Sequence, residues 1–264
     1  MTLTIWLIPI HCYSSLKEFY YDKLLVADNR VDGWLLTDSY VHTVLLSMMY
    51  VIMTIVGPYV MKDRPPVNIR VTMLVYNFVM IILSYYMFHE FFFGMIDAGF
   101  NYICDPVNYS DSPSALRLVS ACWWFYFSKL VEFMDTLFFI LRKKNNQISF
   151  LHVYHHASMP IVWWIGVKWA AGGCSCVQAS INCFVHVIMY SYYFLSGLGP
   201  SVQKYLWWKK YVTILQLVQF CLIISHTSYA FFSGCQFPRG IMYLNFFYVN
   251  SILFLFINFY IRLT

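Results

Sequence analysis

The chain of 264 residues is 60% hydrophobic and only 11% charged, with a mean hydropathy of +0.60 and a formal net charge of +5. A soluble domain of this size carries about a quarter charged residues, and the deficit here extends along the whole sequence. This composition excludes a soluble enzyme with a single anchor and gives no sign of a nucleic-acid partner. It predicts one all-α integral membrane domain over residues 1–264.

Seven apolar stretches are long enough, at about 20 residues each, to cross a bilayer as helices. We place them at residues 40–61, 71–93, 115–141, 149–169, 177–196, 211–232 and 240–261. Their connections are too short to hold a second domain. We therefore expect one helical domain over 40–262, preceded by an N-terminal segment over 1–39.

The distribution of Lys and Arg predicts the orientation. Ten of the 17 basic residues follow the first, third, fifth and seventh stretches. That side, with the C-terminus, is predicted to be cytoplasmic, and the N-terminal segment luminal. The predicted luminal loops contain a glycosylation sequon at Asn108. They also contain Cys104 and Cys235, which an oxidising compartment would allow to form a disulfide.

The segment from Phe150 to His156 is the most informative in the chain. His152, His155 and His156 stand at i, i+3 and i+4, so they share one face of a helix. Ionisable groups at membrane depth are costly and usually functional. We interpret the three imidazoles as a site of chemistry rather than as packing residues.

Other polar side chains occur on the neighbouring stretches. The ionisable residues left inside the predicted spans are Glu90, Lys129, Glu132, Asp135, His152, His155, His156 and His186. Lys129 and Glu132 could form an ion pair that lets their helix insert, or the carboxylates could orient imidazoles on the next helix. The polar stripes of the fifth and sixth stretches comprise Asn182, His186, Met189, Tyr190, Gln216 and Gln219. Such residues can also simply tie helices together.

A phosphate-bearing substrate would find hydrogen-bond donors at the predicted cytoplasmic mouth of this polar core. The residues expected to ring that mouth are Lys129, Arg142, Lys144, Gln147, Lys209 and Thr213.

Three functions fit a membrane protein with a histidine box. A di-iron desaturase or hydroxylase needs a large ligand set, but only four of the eight histidines cluster, so no metal is expected. A receptor or transporter would be expected to place its charged residues along a water-filled route, whereas here they gather with three histidines near one membrane face. Nucleophilic catalysis fits better, because an imidazole can accept an acyl group from a thioester and a second can steady the enolate of a malonyl thioester. Cys183 remains a rival nucleophile.

Four motifs, taken in order and spacing, resemble the very-long-chain fatty-acid elongase family. They are Lys129-x-x-Glu132-x-x-Asp135-Thr136, His152-x-x-His155-His156, His186-x-x-Met189-Tyr190 and Gln216-x-x-Gln219. The likeness runs from about Arg30 to Arg262 and is nearest to the vertebrate subtype that makes the longest saturated and polyunsaturated chains. Relatives continue beyond Thr264 into a basic tail with a lysine-based retrieval signal.

The resemblance implies a seven-helix protein of the endoplasmic reticulum membrane. Helices two to seven would form an inverted-repeat barrel around a narrow acyl tunnel, with helix one outside. The implied reaction joins a long-chain acyl-CoA and malonyl-CoA to give 3-oxoacyl-CoA, CO2 and CoA, with no bound cofactor. Implied partners are the ketoacyl-CoA reductase, dehydratase and enoyl-CoA reductase of the elongation cycle, and a second elongase in a homo- or hetero-dimer.

The resemblance also implies roles for individual residues. His155 would be acylated, His186 would be a second reacting imidazole, and His152 and His156 would be acid/base or orienting partners. Glu132 and Asp135 would tune them. The implied substrate- and CoA-binding residues are Lys129, Arg142, Lys144, Gln147, Asn182, Tyr190, Tyr192, Lys209, Thr213, Gln216 and Gln219.

Overall fold

The computed structural model describes Leu24 and residues 26–263, and within that part of the chain it contains helices and no strand. The α-helices are α1 (Tyr40–Val60), α2 (Arg70–Asp97), α3 (Pro113–Val131), α4 (Phe133–Leu141), α5 (Phe150–Ala170), α6 (Ser175–Gly197), α7 (Pro200–Gln203), α8 (Lys209–Phe232) and α9 (Arg239–Leu263). Short 3-10 helices span Asn29–Val31 and Asn145–Gln147. For the described residues the all-α prediction is confirmed.

Serine side chains set the starts of three of these helices. The hydroxyls of Ser39, Ser112 and Ser149 accept hydrogen bonds from the first backbone N–H groups of α1, α3 and α5. The cap satisfies a donor that has no partner inside the helix. The Ser149 cap receives the N–H of His152 at 3.2 Å, so it fixes the helical register of the histidine segment from its first turn.

Four of the described helices are long and apolar enough to cross a membrane: α1, α2, α8 and the Arg239–Ile261 part of α9. This finding rests on length and composition only. Helices α3, α5 and α6 occupy three other predicted stretches, but they carry most of the polar groups considered as a site. Those polar groups lower the hydropathy of the helices that hold them. The count of seven spans stays a prediction.

The prediction of one continuous helix over 115–141 is wrong at Glu132, where α3 ends and α4 follows. The N–H of Glu132 still donates to the carbonyl of Ser128 at 2.9 Å, but the N–H of Asp135 donates to the carbonyl of Glu132 at 3.1 Å. Bonding three residues back instead of four tightens the helix into a 3-10 turn. The turn tightens where the side chain of Glu132 is bound in the interior, which apolar periodicity does not reveal.

The order of helix packing encloses an interior space. Helix α2 packs against α3 and α6, α3 against α5, α5 against α9, α9 against α8, and α8 against α6. Helix α1 lies to one side of these six and packs against α5 and α4. Side chains from α3, α5, α6, α8 and α9 line the enclosed space.

A glycine lets α1 approach α4 closely. A Cβ atom added to Gly57 would lie 2.9 Å from Cδ1 of Ile140, a separation that real Cβ contacts do not tolerate. The close approach brings Tyr50 of α1 next to Thr136 of α4, where their hydroxyl oxygens lie 3.0 Å apart.

A disulfide joins Cys104 and Cys235, the pair expected from the sequence, and so links the α2–α3 and α8–α9 connections. A third sulfur, that of Cys174, lies 3.7 Å from the sulfur of Cys235. Burial raises the pKa of the Cys174 thiol, which keeps it protonated and slow to attack the neighbouring disulfide. Asn108 is exposed, and its side-chain oxygen accepts the N–H of Ser110 at 3.0 Å. Its glycosylation stays a prediction.

Candidate active site

Three imidazoles stand side by side in the first turns of α5. The ring centroids of His152 and His156 are 4.3 Å apart, and those of His155 and His156 are 5.1 Å apart. All three side chains are half-buried. Pro160, inside α5, has no N–H to give to the carbonyl of His156 four residues earlier. The helix is therefore weakened at the histidine cluster.

A buried ionic network adjoins the imidazoles. Nζ of Lys129 donates to Oε1 of Glu132 at 2.8 Å and to Oδ1 of Asn182 at 3.2 Å. Nδ1 of His186 lies 3.3 Å from the same carboxylate oxygen of Glu132. The side chains of Lys129 and Glu132 are each only 2% exposed, so each charge depends on the other.

Both interpretations of Lys129 and Glu132 are therefore partly realised. The ion pair exists within the α3–α4 segment, and the carboxylate also contacts an imidazole. That imidazole is His186 on α6, however, and not one of the three on the next helix, α5. The prediction that Lys129 lies at a cytoplasmic mouth is wrong, because the Lys129 side chain is buried. Its ammonium group can be buried because the carboxylate of Glu132 compensates its charge in the interior.

A second carboxylate interacts with α6. The hydroxyl of Tyr190 donates to Oδ2 of Asp135 at 2.9 Å, and the Tyr190 side chain is fully buried. Asp135 and Tyr190 were both expected in the site from the sequence. Together with the Glu132–His186 contact, this bond ties the α3–α4 segment to α6 at two points.

Thr136 links the histidine cluster to α1. Its hydroxyl lies 2.7 Å from Nε2 of His152 and 3.0 Å from the hydroxyl of Tyr50. The ring of Tyr50 stacks on Phe133 at 4.4 Å between centroids. Sequence reasoning missed Tyr50. A signal existed, because the buried residues of α1 are Thr43, Ser47 and Tyr50, a hydroxyl stripe at i, i+4 and i+7 in a very apolar helix.

His155 lines an apolar cavity inside the helix ring. Asn182 and Gln219 add polar groups to the wall of the same cavity. Oε1 of Gln219 is buried and, among the described residues, has no hydrogen-bond partner, so it is an acceptor open to a ligand. A second cavity shares part of this wall and extends to Cys174 and Phe237. The shared lining residues are Val162, Trp163, Gln178 and Asn245.

The remaining predicted residues lie outside the imidazole cluster. Gln216 donates to the sulfur of Met189 at 3.3 Å, and Arg142 donates to the sulfur of Met73 at 3.3 Å. Tyr192 packs edge-on against Trp208. Lys144, Gln147 and Lys209 are exposed, and Thr213 is half-buried. Glu90 pairs with Arg117 across α2 and α3 and takes no part in the site.

Two alternatives from the sequence, a metal centre and a cysteine nucleophile, can be compared with the described residues. Within residues 26–263 no group of three or more His, Cys, Asp or Glu is arranged to hold a metal ion. Cys183 is buried and lines neither cavity. Among the described residues, His155 is the histidine whose imidazole lines the cavity, so its ring nitrogen can reach a ligand there.

Comparison with known proteins points to one family. The profile described as ELO, the GNS1/SUR4 family, matches residues 35–263. The chain is 49% identical over 245 residues to very long chain fatty acid elongase 4 of Homo sapiens, covering 93% of this chain and 78% of that protein. It is 48% identical to elongase 5 of Xenopus tropicalis, covering 92% and 82%, and 45% identical to elongase 7 of Rattus norvegicus, covering 94% and 90%. The desaturase, receptor and transporter alternatives receive no support.

Proposed function

Because the chain belongs to the ELO (GNS1/SUR4) family, we propose that it is a very-long-chain 3-oxoacyl-CoA synthase, the condensing enzyme of fatty-acid elongation. It is a multi-pass membrane protein that joins a long-chain acyl-CoA to malonyl-CoA. The observation that carries this function is the position of His155, which places an imidazole at the wall of an apolar cavity. An acyl chain in that cavity would present its thioester to the ring.

The first half-reaction transfers the acyl group to His155. The lone pair of a neutral ring nitrogen attacks the thioester carbonyl and forms a C–N bond. The C–S bond breaks, its electron pair goes to the sulfur of CoA, and the proton of the other ring nitrogen passes to that thiolate. The products are an acyl-imidazole and CoA. The route needs no resident cofactor, because the imidazole is itself the nucleophile.

The second half-reaction forms the new carbon–carbon bond. The bond between the malonyl carboxylate and C2 breaks, CO2 leaves, and the electron pair gives a thioester enolate. The enolate carbon attacks the acyl-imidazole, the C–N bond breaks, and His155 takes up one proton to return to its starting state. His186, whose Nδ1 contacts Glu132, would steady the enolate oxygen by donating from Nε2–H, which requires the doubly protonated imidazolium.

The other polar groups support this chemistry. Glu132 and Asp135 hold His186 and Tyr190 in place through the contacts at 3.3 and 2.9 Å. Asn182 and Gln219 offer hydrogen bonds to the part of the substrate nearest His155. The proposed donors for the CoA phosphates are Arg142, Lys144, Gln147 and Lys209, and Tyr192, Thr213 and Gln216 complete the proposed substrate-binding residues.

We further propose that seven helices cross the membrane and that six of them form an inverted-repeat barrel. The packing order α2–α3–α5–α9–α8–α6 and back to α2 supports this arrangement. Around the ring, the first three helices (α2, α3, α5) follow chain order and the last three (α9, α8, α6) follow reverse chain order. A two-fold axis in the membrane plane that relates the two sets would give this order. The acyl tunnel would then run along the two adjoining cavities, which share part of their lining.

The proposed location is the membrane of the endoplasmic reticulum, with the N-terminus luminal and the C-terminus cytoplasmic. The disulfide between Cys104 and Cys235 supports a luminal side for those loops, since an oxidising compartment stabilises it. Asn108, four residues after Cys104, would then be glycosylated. Partners would be the reductases and dehydratase that process the 3-oxoacyl product, and a second elongase subunit.

Purified protein in lipid vesicles tests the proposed function. With an acyl-CoA and labelled malonyl-CoA it should release CO2 and form a product two carbons longer. His155→Ala should abolish both. His42→Ala, which alters an exposed histidine on α1, is the matched control and should leave the rate unchanged. Full elongation by His155→Ala would overturn the assignment of the nucleophile.

A further inference from the structure

Three hydroxyl and imidazole groups form a buried chain from α1 to the histidine cluster. The Tyr50 hydroxyl lies 3.0 Å from Oγ1 of Thr136, which lies 2.7 Å from Nε2 of His152. Tyr50 is 2% exposed and Thr136 is fully buried. Both distances are those of hydrogen bonds. The distances alone do not show which atom of each hydrogen-bonded pair carries the hydrogen.

The burial of Tyr50 settles the direction. Within the part of the chain that the structure describes, its hydroxyl has Thr136 as its one hydrogen-bond partner. If His152 donated from Nε2 and Thr136 donated onward, the Tyr50 hydrogen would be buried without an acceptor, which is unfavourable. If Tyr50 donates to Thr136 and Thr136 donates to His152, every hydrogen in the chain has an acceptor. The second direction leaves the Nε2 of His152 unprotonated and places its hydrogen on Nδ1.

Resting on the function proposed above, we propose that Tyr50 and Thr136 are positioning residues that hold His152 as the tautomer protonated on Nδ1. In that tautomer the lone pair of Nε2 is occupied by Thr136, and Nδ1 carries a hydrogen. His152 therefore cannot be the nucleophile. Its Nδ1–H is then the ring group left to donate, and the ring of His156 lies beside it at 4.3 Å between centroids.

This assignment separates the roles of chemically identical side chains. His155 lines the cavity, and among the described residues no hydroxyl group is hydrogen-bonded to its ring, so one of its ring nitrogens keeps a lone pair for attack. The roles are set by α1, a helix that packs against α5 and α4 and does not line the cavity. Helix α1 thus acts on the reaction through the Tyr50 hydroxyl, which orients Thr136 and, through it, His152.

A second hydroxyl pair on α1 provides a matched control. Oγ1 of Thr43 lies 2.6 Å from the hydroxyl of Tyr126 on α3, and both side chains are buried. This pair also ties α1 to the helix ring, but it contacts no imidazole. If the Tyr50 bond only held helices together, Tyr50→Phe and Tyr126→Phe would have the same effects.

Two readouts test the proposal. The first is the ring-nitrogen NMR spectrum of protein labelled with ¹⁵N-histidine in nanodiscs, with the His152 signals assigned by their loss in His152→Gln. The wild type should show His152 protonated on Nδ1, and Thr136→Val and Tyr50→Phe should mix the tautomers. Thr136→Ser, which keeps the hydroxyl, should preserve the wild-type signals. This readout does not depend on whether the protein elongates acyl chains.

The second readout is steady-state elongation. Tyr50→Phe should lower kcat by about tenfold, equivalent to roughly 1.4 kcal/mol, with little change in KM, and Tyr126→Phe should retain kcat. Thr136→Ser should rescue the loss seen in Thr136→Val. Nε2 protonation of His152 in the wild type, or equal losses of kcat in Tyr50→Phe and Tyr126→Phe, would overturn the proposal. A correct tautomer in protein that forms no 3-oxoacyl product would instead count against the proposed function alone.

Discussion

Oε1 of Glu132 lies 3.3 Å from Nδ1 of His186 and 2.8 Å from Nζ of Lys129, so one carboxylate oxygen serves both an ion pair and an imidazole. The carboxylate sits at the tightened turn between α3 and α4. The helix break and the site therefore share one cause, which is the inward binding of Glu132.

Charge removal at Glu132 should separate its two roles. Glu132→Gln leaves Lys129 buried without a counter-ion, and breaking such a pair costs about 3–5 kcal/mol of stability. The double variant Lys129→Met/Glu132→Gln removes both charges and should regain most of that stability. It should not regain elongation, because His186 still lacks its carboxylate. Thermal unfolding in detergent and the elongation rate measure the two effects.

A control for this experiment is the ion pair between Arg117 and Asp97, whose side chains are 26% and 57% exposed. Because exposed pairs contribute only about 0–1 kcal/mol and Arg117 keeps its bonds to Glu90, Asp97→Asn should change stability little and activity not at all. Recovery of full elongation in the Lys129→Met/Glu132→Gln variant would show that Glu132 serves stability only.

The second cavity, which extends to Cys174 and Phe237 and is called the far cavity here, should set the longest acyl chain that the enzyme accepts. A Cβ atom at Gly166 would meet only Cε3 of Trp163, at 3.9 Å, so there is room for a side chain to begin there, and Gly166→Leu would narrow the cavity that Gly166 lines. We expect kcat/KM for a twenty-four-carbon acyl-CoA to fall by at least about tenfold, and that for a sixteen-carbon acyl-CoA by less than about twofold. Chromatography of the products measures the shift.

Gly240→Leu is the control for that variant, because Gly240 has no neighbour within 4 Å of an added Cβ and lines neither cavity. It should leave the product distribution unchanged. Equal losses for both chain lengths in Gly166→Leu would mean that the far cavity does not hold the acyl chain.

Removal of the disulfide should destabilise the protein without changing the chemistry at His155. Cys104 and Cys235 close a loop with a sequence separation of 131 residues, and loss of such a bond costs about 2–5 kcal/mol. Both cysteines must be replaced by serine, since Cys174 lies 3.7 Å from Cys235 and could pair with it. The unfolding temperature should fall. Cys221→Ser, at an exposed cysteine, should not change it, and an unchanged temperature in the double variant would contradict the assignment.

Much of the fold could be predicted because apolar runs and basic loops are local signals. Helices occupy every stretch that was predicted to be apolar enough to span a membrane. The spacing of His152, His155 and His156 likewise placed three rings on one face, since it depends only on helix geometry.

The misses all depend on contacts between distant segments. The ion pair of Lys129 with Glu132 was one of two interpretations of the sequence, but Lys129 was also placed at the cytoplasmic mouth because its bond to Asn182, on another helix, cannot be read from periodicity. The break at Glu132 has the same origin. Tyr50 was not singled out from the sequence, because its place beside Thr136 depends on the close approach of α1 and α4 at Gly57. The local sequence pattern predicts which residues share a helix face. Contacts between helices decide which polar side chains bind each other, and the pattern does not contain them.

The central claim is that His155 carries the acyl group. The most direct measurement is peptide mapping by mass spectrometry after incubation of the purified protein with an acyl-CoA and no malonyl-CoA. We predict one acyl adduct, on His155, that disappears when malonyl-CoA is added. An adduct on His152 or Cys183, or none at all in protein that elongates the same acyl-CoA, would contradict the account.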